Sequence, residues 1–239
     1  MSNFGLLMKG EMLRLIKYKI IQISFVVTIL WLLIIFMIGS DQAATFVPIF
    51  IFTDAALMTV LLVGASLFYE KQENTLKTLM ITPSGLHAII ASKVISAIYL
   101  ALQSTVIIAL FANLLFAVEI RFIALIAFVI VIAFAHTAIG YTFSLFAKDF
   151  NELIAQVGAY MIVFAIPTLF YALGVFSEVF ETVLMFSPTH AALLMINYTF
   201  FSSTRLVLLL IGLAYLIVVP VLLFIYIIIP KYPETAVKD

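Results

Sequence analysis

Few residues in this chain are equipped for chemistry, and most of them sit together. Phe68–Lys93, read FYEKQENTLKTLMITPSGLHAIIASK, carries Glu70, Lys71, Glu73, Lys77 and Lys93 between long apolar runs and is the longest polar interruption in the sequence. Asp54 is the one acid set well inside an apolar run, about eight residues, or roughly 12 Å of helix, from its start. An unpaired ion at that depth is costly, so Asp54 is expected either to face a water-filled cavity or partner chain, where it attracts a cation, or to be a hydrogen-bonded structural residue near Thr53 or Thr59. His87, His136 and His190 are isolated, none with a second histidine or a carboxylate at helical spacing, and read as structural or interfacial. Gln103, Asn113 and Gln156 are polar groups within apolar runs, of the kind that join helices. The sequence has no cysteine, no G-x-x-x-x-G-K-[ST], no G-x-S-x-G and no metal-ligand spacing. No catalytic residue, metal site or nucleotide site is therefore expected in this chain, and it is not expected to be an enzyme.

The elements that position these residues follow from composition. Hydrophobic residues make up 66% of the 239 and charged residues 10%, against roughly 45–50% and about 25% in soluble domains. There is too little polar surface to cover a soluble core, so an all-α integral membrane protein is expected. Twelve basic and twelve acidic residues leave no net charge, and no nucleic-acid partner is implied. No cleavable signal peptide is expected, because the first apolar run has full span length and no small-residue cleavage pattern follows it.

A span needs about 20 apolar residues. Six stretches qualify: Ile20–Ile38, ended by Gly39-Ser40-Asp41; Phe46–Tyr69; Val94–Val118; Phe122–Ala147; Leu153–Val175; and Leu206–Ile229, closed by Pro230-Lys231-Tyr232-Pro233. Six spans put both termini on one side with Lys9, Arg14, Lys17, Lys19, Lys71, Lys77, Lys93, Lys148, Lys231 and Lys238, leaving only Arg121 and Arg205 opposite, beside Asp41, Glu119, Glu178 and Glu181. Ten basic residues against two predict that both termini and the Phe68–Lys93 loop of a multi-pass cell-membrane protein are cytoplasmic. Residues 2–19 place Phe4, Met8, Met12, Leu15 and Ile16 on one wide helical face, with Lys9, Glu11, Arg14 and Lys17 mostly away from it and Leu6 and Leu13 breaking the pattern. An interfacial helix lying on the bilayer is expected there. Residues 176–205 hold two apolar pieces too short to cross, Val179–Phe186 and Ala191–Phe201, separated by Ser187-Pro188-Thr189-His190. They are expected to be external re-entrant or interfacial helices. The chain reads as a single transmembrane domain over 1–239. Gly64-Ala65-Ser66, and Ala155 with Ala159, offer close helix packing within the chain or between copies, and Pro167 and Pro220 are expected to kink the last two spans.

Within the central loop, Gln72–Ile81 is predicted to form a short helix. Leu76, Leu79 and Met80 share an apolar face, and Glu73 and Lys77 pair at i,i+4. Thr82-Pro83 ends it and Ser84 caps the next helix. The expected product is a helical hairpin offering an apolar knob ringed by charge, a shape that docks into a cleft on a soluble protein, or else a solvated connector.

Glu70-Lys71-Gln72-Glu73-Asn74-Thr75-Leu76-Lys77-Thr78-Leu79-Met80-Ile81-Thr82-Pro83, followed by Lys93, resembles the E-[KR]-E-x-G-T-L-x-x-L-x-x-T-P stretch between the second and third spans of permease subunits of type 2 (type V exporter) ATP-binding-cassette transporters. Gln72 stands where an acid is common and Asn74 where glycine is; asparagine tolerates unusual backbone angles better than most residues. Phe46-Val47-Pro48, Gly140 through Asp149, and Ser187-Pro188-Thr189 extend the resemblance along the chain. The resemblance implies a bacterial inner-membrane exporter subunit working as a dimer, homo- or heterodimeric, with soluble ATPase subunits that bind ATP and Mg. It also implies a coupling helix at residues 70–83, with Glu70, Lys71, Glu73, Thr75, Leu76, Leu79, Met80, Thr82 and Pro83 engaging the ATPase. Abundant phenylalanine (23) and methionine (9) fit an apolar, adaptable pathway, and equally a lipid-facing surface. A hydrophobic or amphipathic cargo is expected: a drug, an antimicrobial peptide or a lipid-linked molecule. Asp54 is the candidate substrate-pathway residue, placed to attract a cationic substrate. The rival readings are an ion- or proton-coupled carrier with Asp54 as its coupling site, and a membrane scaffold or sensor whose loop only recruits a partner. A membrane-embedded enzyme stands behind both.

Overall fold

The computed structural model describes residues 3–177, 179–201 and 205–237, and these are helical without strands. The helices are α1 (Asn3–Lys17), α2 (Ile20–Ile38), α3 (Ser40–Gln72), α4 (Thr75–Met80), α5 (Leu86–Phe116), α6 (Phe122–Phe146), α7 (Phe150–Ala172), α8 (Val179–Leu184), α9 (Pro188–Phe200) and α10 (Leu206–Thr235, helical on to Val237). Six of them, α2, α3, α5, α6, α7 and α10, are long and apolar enough to cross a membrane. Of the charges assigned above, Glu178 and Lys238 lie outside the described residues.

Span ends differ from expectation where polar residues continue a helix past the apolar run. Gly39, at φ 79°, makes the α2–α3 turn alone, and Ser40 and Asp41 already belong to α3. At 33 and 31 residues, α3 and α5 are roughly 50 and 46 Å long. They outrun a hydrocarbon layer of about 30 Å, and their shared overhang carries the charges of the central loop. α10 does not stop at Pro230. A proline ring clashes with the carbonyl four residues back, and the helix widens to a π turn over Phe224–Ile228 that absorbs the clash. The same device, Met161–Ala165 followed by Pro167, lets α7 continue.

α6 is the hub of the bundle, packed by α3, α5, α9 and α10. Its closest approach is to α3, where Gly64 faces Gly140 within the chain. A Cβ on Gly140 would come within 2.7 Å of the Val60 carbonyl oxygen. Toward the other end, α9 takes over: it packs against the Ser40–Phe52 part of α3, against α6 and against α10, and is buried along nearly its whole length. A 13-residue helix is too short to cross, and its backbone is covered by protein rather than lipid. Ser187 caps it and Pro188 occupies its first turn. Thr189 Oγ1 donates to the Phe164 carbonyl in the widened turn of α7 at 2.7 Å.

Candidate functional site

The polar loop is folded onto the spans, not suspended from them. Asn74 adopts φ 56°, ψ 18° and breaks the predicted Gln72–Ile81 helix in two: Gln72 ends α3 and α4 begins at Thr75. The break also takes Glu73 and Lys77 off a common face. Glu73 instead accepts from Lys17 Nζ at 2.5 Å and Tyr18 Oη at 2.9 Å, at the end of α1. Those hydrogen bonds hold the Glu73 carboxyl below the usual range. Burial, with the bond to Glu73, pushes the Tyr18 phenol up to about 12. Gly85, extended, stands at the N-cap of α5 in place of Ser84.

The apolar knob is not offered to solvent. Leu76 and Leu79 are buried with Leu67, Ile89 and Tyr232 in a core that joins α4 to α3, α5 and the end of α10, and Met80 is half-buried against it. In a chain whose neighbouring helices project past the bilayer, an amphipathic turn finds apolar cover at home. Glu70 is 0% exposed. The residues of the segment that do face outward are Gln72, Glu73, Asn74, Thr78, Ile81 and Pro83, with Ile81 85% exposed. Thr75 and Thr82 are half-buried, and the Thr82 hydroxyl donates to the Leu79 carbonyl at 2.7 Å. Lys71 Nζ donates to the Ala147 carbonyl at 2.9 Å, tying this loop to the α6–α7 connection. Between the two loops lies an open notch of about 290 Å³ walled by Phe68, Lys71, Asn74, Lys148 and Asp149.

Beneath the loop is a buried charge cluster joining three elements. Lys93 of α5, 2% exposed, donates to both Glu70 of α3 and Glu11 of α1. Arg14 Nε donates to Glu70 Oε1 at 3.0 Å, and its other arm reaches Glu11. Burial works against ionising Glu11, but the charges of Lys93 and Arg14 outweigh it and hold that carboxyl below its ordinary value. Expectation placed Glu11 away from the buried side of α1. In fact Leu7, Glu11 and Leu15 form the inward stripe, while Phe4, Leu6, Leu13 and Ile16 point away from the protein. The signal for this was an acid at i+4 in a stripe of leucines, where no solvated face belongs.

Asp54 is 4% exposed, with Ser104 of α5 and Trp31 of α2 as polar neighbours. It sits in a widened turn of α3, Thr53–Met58, that no proline follows. Turns of this kind recur at functional positions. His136 is buried in α6, with Nδ1 on the Ile132 carbonyl at 2.8 Å. His87, His136 and His190 lie on three different helices.

At the opposite end of the bundle α7, α8, α9 and the start of α10 enclose a cavity of about 530 Å³, which sequence reasoning did not anticipate. The chain shows no significant match to any protein-family model, curated protein or solved structure.

Proposed function

We propose that this chain is the membrane-spanning subunit of an ATP-driven exporter, moving a hydrophobic or amphipathic substrate out of the cell with the work of a separate soluble ATPase. The supporting observation is the mounting of the central loop. Its outward residues, Gln72 to Asn74 and Ile81 to Pro83, ride on side chains locked into α1, α3, α5 and α6. A push on that surface is therefore delivered to the spans and not lost in a slack linker. ATP and Mg belong to the partner, which docks from the cytoplasm on this face and its adjoining notch. A second permease copy completes the pathway; Ala155 and Ala159 lie on the exposed side of α7 and are available to it. Within the coupling segment the roles divide. Lys71, Glu73, Ile81 and Pro83 make contact, while Glu70, Leu76, Leu79 and Met80 transmit.

The test is copurification from native membranes in mild detergent. A stoichiometric soluble protein with a phosphate-binding loop is expected, lost on Ile81→Asp with the melting temperature unchanged. Leu76→Asp is the wrong probe, because it would unseat α4 itself. No copurifying ATPase, or one retained by Ile81→Asp and Glu73→Lys together, would sink the reading. The carrier alternative keeps one specific observation in its favour, the widened turn at Asp54 without a proline to explain it. Asp54→Asn abolishes transport on that reading and leaves ATPase coupling intact on the first.

A further inference from the structure

The cavity between α7, α8, α9 and α10 has the construction of a ligand site. Its volume, about 530 Å³, lies within the range of small-molecule sites. Tyr171, Phe176 and Phe201 supply aromatic wall. His190, 2% exposed, lines it with both ring nitrogens lacking a hydrogen-bond partner. A buried imidazole is ordinarily satisfied, and its nearest ring contact is an edge-to-face one with Tyr171 at 5.2 Å. Asn197, half-buried, adds an amide.

The charged pair lining the cavity decides what kind of ligand it suits. Arg205 Nη1 donates to Glu181 Oε2 at 3.3 Å, but the two side chains are unequally placed, at 62% and 11% exposed. An exposed arginine arm re-solvates readily when its carboxylate partner is taken. A buried carboxylate stripped of its cation does not. A ligand anion taking Arg205 would leave Glu181 buried and unpaired. A ligand cation entering from the cavity replaces Arg205 on Glu181, lies against the aromatic faces, which attract positive charge, and donates its remaining N–H groups to His190 and Asn197.

We propose that this cavity is a binding site for an amphipathic organic ammonium, with Glu181 as counter-ion, Tyr171 and Phe176 against its apolar body, and Arg205 as a displaceable latch. The assignment does not rest on the export reading, because it is tested by binding alone.

The experiment uses the full chain in dodecyl maltoside micelles, which carry no ammonium, and titrates three water-soluble probes of one shape: phenethylammonium, phenethyl alcohol and hydrocinnamate. Calorimetry and saturation-transfer NMR follow binding. Saturable binding of the ammonium, at least tenfold tighter than the alcohol and with no hydrocinnamate binding, is expected. Glu181→Gln weakens it about tenfold or more, and Arg205→Gln tightens it about threefold, since the competitor is gone while the carboxylate stays. A variant that merely loosens the fold would weaken binding, so tightening in Arg205→Gln keeps the test decisive if Glu181→Gln fails to fold. Repeating the titration in phosphatidylethanolamine nanodiscs distinguishes sources: competition there assigns the site to a lipid headgroup ammonium, and no competition to a free amine. Equal binding of ammonium and alcohol, preferred binding of hydrocinnamate, or weakened binding in Arg205→Gln overturns the proposal.

Discussion

Lys93 is the residue whose loss should be felt most sharply. It lies on α5 against α1 and α3, pairs with both Glu11 and Glu70, and balances their charge together with Arg14. In Lys93→Met the two carboxylates share one cation, Arg14, whose side chain is itself partly exposed. Removing one member of a buried ion pair costs about 3–5 kcal/mol, because the partner stays buried and uncompensated. At roughly 2–4 °C per kcal/mol for a chain of this size, melting should fall by roughly 6–20 °C. Lys93→Met with Glu70→Gln removes one charge of each sign and leaves Glu11 paired with Arg14, so the loss should shrink to about 1 kcal/mol, since neutral replacement of a buried pair is often near-neutral. The coupling energy between positions 70 and 93 should then exceed about 2 kcal/mol. Thermal melting of the four proteins of the cycle in one detergent measures it. A single Lys93→Met costing under about 1 kcal/mol, or an additive double variant, would refute the view that these charges are held by one another.

Three further outcomes are expected. Gly140→Ala forces a methyl against the Val60 carbonyl; backbone on both sides cannot yield, and a loss of about 1–3 kcal/mol in melting or denaturant assays is expected from overpacking, whereas Gly158→Ala, with open space around it, should be silent. Asn74→Gly should match or exceed wild-type stability and Asn74→Val lose about 1–2 kcal/mol, because the left-handed backbone at 74 penalises a β-branched side chain; equal melting of the two would contradict the local geometry. Burial lowers the His190 pKa to about 4 from 6.5, so the unfolded chain takes up the proton first: the contribution of His190 is complete above pH 6.5 and is lost as pH falls toward 4, by about 3 kcal/mol. Histidine NMR should show His190 neutral at pH 5, and titration near 6.5 would refute its burial.

The spans were legible because a run of apolar residues long enough to cross leaves little choice of structure. Ile20–Ile38 starts and stops where its hydropathy does. Boundaries elsewhere were not, since Ser40–Thr45 and Leu86–Lys93 are helix-competent overhangs whose ends depend on Gly39 and Gly85. The short helices on either side of Ser187 were legible from the length of their apolar pieces, but the second begins at Pro188 and not at Ala191, because Ser187 caps it and proline suits a first turn. Asn74 carried its own signal, because few residues other than glycine suit that turn. Direction was the harder quantity. Whether Leu76 and Leu79 face a partner or their own chain depends on how far α3 and α5 project, and no local pattern reports that. The ion cluster was hidden for a related reason. Lys93 meets Glu11 across 82 positions and Glu70 across 23, separations at which charge pattern alone pairs nothing. Glu181 and Arg205 were assigned correctly to one end but not to one cavity.

The arrangement of α3 against α6 gives the coupling proposal its mechanical sense. The two helices touch backbone to backbone at Gly64 and Gly140, toward the end that carries the loop. At the other end the Ser40–Phe52 part of α3 lies against α9, which also packs on α6. A contact without side chains resists compression but permits small rotations, whereas an interdigitated seat resists both. Force applied at Ile81 or Glu73 reaches α3 through Glu70 and Leu76 on the near side of that glycine contact. Rotation about it would swing the Ser40–Phe52 part of α3 relative to α9, and α9 is a wall of the cavity holding His190 and Asn197. Filling the contact at Gly64 should then be the most selective way to uncouple the two ends. Gly64→Ala meets the Gly140 carbonyl at 3.3 Å, a crowding milder than at Gly140. On this reasoning it keeps the fold and the ATPase bound while transport falls, and unchanged transport in a folded Gly64→Ala protein would remove the pivot from the mechanism.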